Sequence, residues 1–212
     1  MERHDLDEHG SFAWLAHPDE FMERASTAVA LDGGGWLLVD PLDAPGLDEA
    51  LATRGEVRAV ATLLNRHDRD AEAIAERHGA SRVFPRIMAS RGAPIALPEV
   101  QERTLWKRLR WYEAALWLPD RQLLIAPEAL GTAAYYRVGD ERLAVHPLLR
   151  PWPPRLSLAG LHPTAISVGH GRPLTEGADA ALQDALRTAR RRLPKSWVHA
   201  FRTMRAARRP ST

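Results

Sequence analysis

The sequence contains no cysteine among its 212 residues, so the chain forms no disulfide and offers no thiolate to a metal ion. A bound metal would therefore need histidine, aspartate or glutamate ligands, which are typical of catalytic sites. The sequence also lacks the run of about 18 apolar residues that a transmembrane helix requires. The first residues, Met1 to Glu8, are charged and contain no apolar signal segment. We therefore expect a cytoplasmic protein without a membrane partner.

Acidic residues are absent after Asp184, whereas basic residues continue as far as Arg209. We interpret this segment as a solvated helix face followed by a frayed terminus. Contact with nucleic acid or an acidic partner is the alternative, but no interleaved aromatic residues or nucleic-acid-binding motif support it. We expect a small-molecule substrate or ligand. The oligomeric state does not follow from the sequence.

Strand and helix patterns alternate along the chain, of which 45% is hydrophobic. This pattern predicts a single layered α/β domain over residues 1–212, with a core at about 27–192 and a basic tail at 193–212. We expect an irregular, partly helical entry at 1–26, and a loop with one helical turn at 86–105. The predicted strands are 27–31, 36–40, 57–64, 81–85, 111–118, 122–126 and 164–168. The predicted helices are 46–55, 71–78, 177–192 and a further one beyond Lys195.

Local signals support these boundaries. Asp32 and the three glycines after it are typical of a hairpin turn between two strands. Gly79 follows a run of strong helix formers and is typical of a helix end. Pro119 and Asp120 predict a turn between the two strands on either side of them.

Two of the apolar strands end in one potential metal ligand each. Glu128 follows the strand at 122–126, and His170 follows the strand at 164–168. Buried strands that deliver one carboxylate or imidazole at their ends are how a metallohydrolase assembles its site. We therefore expect Glu128 and His170 to face each other across a groove. His146 and His162 lie ahead of the last strand, and either could enter the same cleft.

The order of these parts resembles the metallo-β-lactamase superfamily, whose members have a four-layer αββα sandwich with a di-metal site where strands end. The opening hairpin that ends in Val39-Asp40-Pro41 is similar to the family's early strand that closes in aspartate. The segment Ala-Leu-Trp-Leu-Pro-Asp-Arg-Gln-Leu-Leu-Ile at 115–125 is similar to its central strand pair. Ser167-Val168-Gly169-His170-Gly171-Arg172-Pro173 matches its closing Gly-His-Gly loop. The similarity in layout covers about residues 27–192.

The family's signature His-x-His-x-Asp-His falls on residues 65–70, which read Asn-Arg-His-Asp-Arg-Asp. In the register that we favour, His67 takes the place of one ligand histidine and Asp70 that of another. A register shifted by one keeps Asp70 as the family's aspartate but loses His67. The next family histidine falls near Leu109 or Arg110, and the bridging aspartate is replaced by Glu128.

The resemblance implies a hydrolase that acts on a small ester-like or phosphoester-like substrate through a metal-activated water. Its cofactor would be one divalent metal, zinc, iron or manganese. Asp70 is the candidate catalytic base, while Arg66 and Arg69 are candidates for binding an anionic part of the substrate. The candidate metal ligands are His67, Asp70, Glu128 and His170.

The alternative is a metal-free protein that keeps the scaffold and uses its cleft or its arginine-rich surface for binding. In that case Glu128 pairs with an arginine, His170 hydrogen-bonds its own loop, and Asp70 caps the helix that follows. Residues 67–70 would then form a surface ion-pair cluster. The sequence leaves both functions open.

Overall fold

A computed structural model describes residues 1–207 of the chain. Its first sheet has seven strands, whose order in space follows their order in the sequence. The pairings from the first to the fourth strand are antiparallel, and those from the fourth to the seventh are parallel. These strands are β1 (Glu2–Asp5), β2 (Phe12–Leu15), β3 (Ala25–Ala30), β4 (Trp36–Val39), β5 (Val57–Ala61), β6 (Ser81–Phe84) and β7 (Ala93–Pro94).

The remaining strands form a second sheet and a short separate pair. In chain order they are β8 (Gln101–Arg108), β9 (Trp111–Leu118), β10 (Leu123–Ala126), β11 (Leu130–Gly131), β12 (Ala144–Val145) and β13 (Ala165–Val168). The second sheet has the order β13-β10-β9-β8, in which only β13 and β10 are parallel. Strands β11 and β12 pair with each other.

The described residues contain three α-helices: α1 (Leu47–Ala52), α2 (Ala71–His78) and α3 (Ala178–Ala207). As predicted, α2 ends at Gly79, whose φ of 62° lies in the left-handed region that glycine adopts easily. Within residues 1–207, none of these helices is long and apolar enough to cross a bilayer.

The layers follow from three apolar clusters. Strand β4 buries both of its faces, with Trp36 and Leu38 packed against α1 and α2. Its other face, with Leu37 and Val39, packs against the second sheet. Strand β10 likewise divides its side chains, since Leu124 faces α3 while Leu123 and Ile125 face the first sheet. The resulting order is helix, sheet, sheet, helix, which is the αββα sandwich predicted from the sequence.

Three predictions about secondary structure are wrong. The entry at 1–26 is not partly helical but contains β1 and β2, and the four side chains of β2 are all buried because β2 pairs with β3. The loop predicted at 86–105 contains most of β8, whose polar side chains reflect an edge strand with an exposed face. Helix α3 continues through Pro194 to Ala207 as one element instead of ending at 192. The frayed terminus falls on residues 208–212, outside the described part.

The directions of the strands bring the chemically reactive residues together. Because β4 and β5 are parallel, Asp40 and the loop 62–70 follow them at the same edge of the first sheet. Because β10 and β13 are parallel, Glu128 and His170 emerge together at an edge of the second sheet. A backbone hydrogen bond from Ala25 N to Gly169 O joins the two edges.

Candidate functional site

His67 is oriented by a buried aspartate. Its Nδ1 lies 3.0 Å from Oδ2 of Asp40, and Oδ1 of Asp40 accepts a hydrogen bond from Leu63 N at 2.9 Å. Burial raises the pKa of Asp40 to about 7, although the Arg69 guanidinium opposes this shift. When Asp40 is ionised it accepts this hydrogen bond, so that Nδ1 of His67 carries the proton and Nε2 presents a lone pair.

His170 is oriented in a similar way by a backbone carbonyl. Its Nδ1 donates to Met22 O at 3.0 Å, which leaves Nε2 unprotonated in the neutral ring. The ring centroids of His170 and His67 are 5.5 Å apart, and Tyr136 stacks on His170 at 5.8 Å. Burial holds the pKa of both histidines well below the ordinary value, so both rings are neutral at neutral pH.

The glycines on either side of His170 are required by close approaches. A Cβ on Gly169 would lie 2.1 Å from Pro127 O. A Cβ on Gly171 would lie 2.3 Å from Ala133 N, and Gly171 also has a φ of 99°. The Gly-His-Gly sequence therefore lets the loop after β13 pass close to the loop after β10, which brings His170 near Glu128.

Glu128 lies between the histidines and a guanidinium group. Its Oε2 accepts a hydrogen bond from Nη2 of Arg66 at 3.0 Å and is 3.9 Å from Nε2 of His67. The Arg66 guanidinium also lies 4.2 Å from the ring centroid of Trp111. Burial raises the pKa of Glu128, and the charge and hydrogen bond of Arg66 offset part of that rise. Glu128 is therefore held in an ion pair and is only 14% exposed.

A third histidine, His146, enters the site from the loop after β12. Its Nδ1 accepts a hydrogen bond from Leu148 N at 3.2 Å, so Nε2 carries the proton in the neutral ring. That Nε2 lies 3.7 Å from Oε1 of Glu128. Burial lowers the pKa of His146 to about 3. His162, the other histidine expected ahead of the last strand, is exposed and pairs with Asp179.

Glu113, which is not among the predicted site residues, supports the loop that carries Glu128. Its Oε1 accepts hydrogen bonds from the backbone N–H groups of Glu128, at 2.8 Å, and Ala129, at 2.6 Å. Its Oε2 accepts from Nε1 of Trp111 at 2.7 Å. Burial raises the pKa of Glu113 to about 7 against these three hydrogen bonds. The signal in the sequence was one carboxylate inside the otherwise apolar strand β9.

Arg69 has a structural role in place of the predicted role in substrate binding. Its Nη1 donates to Ala25 O at 2.5 Å and to Asp40 O at 2.8 Å, and its Nη2 donates to Gly169 O at 3.0 Å. These carbonyls belong to three separate segments that meet at the site. Asp40 and Arg69 both have left-handed φ values, 44° and 46°, which cost energy in residues with a side chain. Arg69 thus locks the loops around His67.

His67 lies beside Glu128, with 3.9 Å between Nε2 and Oε2, and beside His170, with 5.5 Å between ring centroids, whereas Asp70 makes its side-chain contact elsewhere. The Asp70 carboxylate accepts a hydrogen bond from Asp43 N at 2.8 Å, through its Oδ2. This contact ties the start of α2 to the loop after β4. The Asp70 carboxylate is therefore not placed as the metal ligand or catalytic base that we expected. Asp70 precedes α2 but makes no side-chain capping bond to it either.

The charges around these residues do not fit a two-metal centre. Within residues 1–207, no three histidine, aspartate or glutamate side chains are arranged to hold a metal ion. Nε2 of His67 and of His170 would suit a metal, since each ring is anchored through Nδ1. Glu128, however, is engaged by Arg66, and the Arg69 guanidinium is fixed beside them.

Comparison with known structures shows the same fold over nearly the whole chain. A diflavin flavoprotein fragment from Nostoc sp. is 14% identical, with 93% of this chain and 98% of that chain covered and a TM-score of 0.59. A metallo-β-lactamase superfamily protein from Sulfolobus tokodaii is 8% identical, with 92% and 98% covered and a TM-score of 0.55.

A third similar structure is a metallo-β-lactamase from Erythrobacter litoralis in its mono-zinc form. It is 13% identical, with 90% of this chain and 96% of that chain covered and a TM-score of 0.56. No family model matches the sequence, and no curated protein matches it. The chain therefore has the metallo-β-lactamase fold, and the predicted αββα architecture is confirmed.

Proposed function

We propose that this chain is a metal-free binding protein built on the metallo-β-lactamase fold. The observation that carries the proposal is the ion pair between Arg66 and Glu128, in which Nη2 lies 3.0 Å from Oε2. The guanidinium neutralises the carboxylate that a metal ion would otherwise neutralise. Glu128 then has a cationic partner without a metal.

The electrostatics of the histidines support the same proposal. Apart from burial, the largest cause of the lowered pKa of His67 is the positive charge of Arg69, followed by that of Arg66. Arg69 also lowers the pKa of His170. A positive potential that disfavours a singly charged imidazolium disfavours a divalent cation at the same nitrogens more strongly.

The second candidate function is a hydrolase that uses one divalent metal and acts on a small ester-like or phosphoester-like substrate. It is favoured by the two histidines whose Nδ1 atoms are anchored and whose Nε2 atoms carry lone pairs, since metal-binding histidines are usually anchored in this way. The zinc and diiron forms of other proteins with this fold add to its plausibility. In this candidate Arg66 would have to leave Glu128.

Metal content and thermal stability together test the proposal. We expect protein purified without chelator to hold less than about a tenth of an equivalent of zinc, iron or manganese. Neither chelator nor added zinc should change the melting temperature, because a ligand shifts it only by binding the folded state. Stoichiometric metal that is lost in a Glu128→Ala, His170→Ala variant, together with hydrolysis of ester or phosphoester substrates, would establish the hydrolase instead.

An Arg66→Ala variant tests whether the ion pair with Glu128 is what keeps a metal ion out of the site. If Arg66 excludes the cation, its removal should free Glu128, and added zinc should then stabilise the variant more than wild type. Arg110→Ala is a matched control, because Arg110 is exposed at the tip of the β8–β9 hairpin. Equal responses to zinc in the two variants would contradict the role given to Arg66.

A further inference from the structure

A groove of about 770 Å³ lies outside the site described above. One wall is the end of β8 and the hairpin tip, residues 104–109, and the other is the proline-rich loop at 152–157. Arg190 reaches it from α3. A groove of this volume has the size of a small-molecule site.

Two tryptophans meet across the groove. The ring centroids of Trp106 and Trp152 are 6.3 Å apart, with 43° between the ring planes. Trp106 is partly buried, and its Nε1 donates to Arg108 O at 3.1 Å, which fixes the ring. Trp152 is 61% exposed. An exposed indole beside a fixed one offers a face on which an aromatic ring can stack.

The groove is also lined by basic side chains and by no acidic ones. Nε of Arg155 donates to Leu186 O at 3.0 Å and its Nη2 to Arg187 O at 3.2 Å, while Nε of Arg190 donates to Pro151 O at 2.9 Å. These bonds hold two guanidinium groups in place and leave other N–H groups free to bind an anion. In the part of the chain that the structure describes, no carboxylate forms an ion pair with any of the four cationic residues, which are Lys107, Arg108, Arg155 and Arg190.

We propose that this groove binds a mononucleotide, whose base stacks on Trp152 and whose phosphate is held by Arg155 and Arg190. Stacking surface and uncompensated positive charge are the two features that a base joined to a phosphate requires. The inference rests on the proposed binding function, to which it adds a site and a ligand class. Its test does not depend on the metal content of the protein.

A second copy of this chain fits the groove less well than a mononucleotide does. The exposed side chains of Leu109 and Leu156 border the groove and could form an apolar contact. A symmetric contact, however, would bring the four cationic residues of each copy close together, and like charges repel. Charge complementarity therefore favours a small anion.

Calorimetric titration of the full chain with AMP, GMP, CMP and UMP tests the inference. We expect at least one mononucleotide to bind, and its nucleoside or inorganic phosphate alone to bind more weakly. Trp152→Ala should raise the dissociation constant about 5- to 150-fold, the range for loss of one stacked base. Trp197→Ala is the matched control, because Trp197 is 52% exposed on α3 but does not line the groove.

A second pair of variants tests the phosphate contact while keeping both tryptophans. Arg190→Gln should weaken binding and reduce its dependence on salt, whereas Arg202→Gln, at an exposed residue elsewhere on α3, should change neither. The inference is overturned if none of the four mononucleotides binds, or if Trp152→Ala binds like wild type. It is also overturned if only a single-stranded oligonucleotide binds, or if light scattering shows a dimer that Leu156→Glu dissociates.

Discussion

Nη1 of Arg69 donates a hydrogen bond to the carbonyl oxygen of Asp40 at 2.8 Å, while the Asp40 carboxylate holds Nδ1 of His67 at 3.0 Å. The backbone carbonyl of Asp40 thus binds the Arg69 guanidinium, and the side chain of Asp40 orients the His67 imidazole. The position of His67 therefore depends on a guanidinium that makes no contact with it through hydrogen bonds. Arg69 locks the loops around His67 through the three carbonyls that it binds.

Replacing Arg69 by methionine should destabilise the fold by about 3 kcal/mol, because three buried carbonyls would lose charged donors. Urea unfolding measures the loss. Arg77→Met is the control, since Arg77 is 36% exposed and its ion pair with Asp43 should contribute less than about 1 kcal/mol. Equal losses in the two variants would contradict the locking role of Arg69.

Gly169→Ala should destabilise the fold by about 1–3 kcal/mol or more, because its Cβ would lie 2.1 Å from Pro127 O and the backbone would have to move. Gly33→Ala is the control. Its Cβ would approach only the end of the Arg58 side chain, at 3.1 Å, which can move aside. Thermal melting of the two variants should separate them. Similar melting temperatures would show that the loop after β13 tolerates a side chain.

Substitution of one partner in the fully buried ion pair of Arg150 and Glu141 should cost more unfolding free energy than substitution in an exposed pair. Arg150 also donates to Tyr136 O at 2.8 Å and to Val145 O at 3.1 Å, so it holds the segment that carries His146. Arg150→Met should cost about 3–5 kcal/mol, because the buried Glu141 carboxylate loses its nearest cation and keeps only Val138 N at 2.8 Å and Nη1 of Arg192 at 3.7 Å.

A suitable control for that variant is Arg187→Met. Arg187 is 69% exposed and pairs with Asp184, and the loss of such a pair should change the unfolding free energy by less than about 1 kcal/mol. Chemical denaturation of both variants at the same pH gives the comparison. A small loss for Arg150→Met would mean that Glu141 finds a new partner.

Histidine burial should make the fold sensitive to acid. Burial lowers the pKa of His146 to about 3, so between pH 3 and about 6.5 the unfolded chain binds a proton there that the folded chain does not. The stability that the neutral His146 contributes above about pH 6.5 is therefore lost as the pH falls toward 3. His146→Asn should lower the slope of unfolding free energy against pH by about 1.4 kcal/mol per unit between pH 4 and 6.

The wild-type slope must be compared with that of a variant, because other buried groups change the unfolding free energy with pH in the opposite direction. Burial raises the pKa of Asp40 and of Glu113 to about 7, so their contribution to stability decreases as pH rises toward 7. His9→Asn, at an exposed residue far from these groups in the sequence, is the control. An unchanged slope in His146→Asn would contradict the burial of a neutral imidazole.

Much of the fold was predictable because local patterns carried it. The turn at residues 32–35 and the helix that ends at Gly79 were correct, and the strand predicted at 57–64 is present as β5, which ends at Ala61. Strands β1, β2 and β8 were missed because their side-chain patterns depend on neighbouring strands. Strands β1 and β2 are short, and β8 is an edge strand with polar residues on its exposed face, so pairing with a neighbour decides that these segments are strands.

The candidate site was predictable in part for the same reason. Glu128 and His170 were selected because each ends an apolar strand, and His67 because it falls on a histidine of the signature that residues 65–70 resemble. Glu113 was missed, and His146 was considered only as one of two histidines that could enter the cleft, because neither lies at a spacing that suggests a shared site. Both residues contact Glu128, which lies 15 or more positions away from each of them.

The sequence by itself determined the layered α/β fold, the absence of thiolate ligands, and the tips of the strands from which the polar residues emerge. These properties follow from residue type and local periodicity. Only the tertiary structure decided that Arg66 pairs with Glu128, that Arg69 binds three carbonyls, and that Asp70 contacts Asp43 instead. The physical reason is that side-chain charges act through space, so their partners are set by the packing of loops that the sequence places far apart.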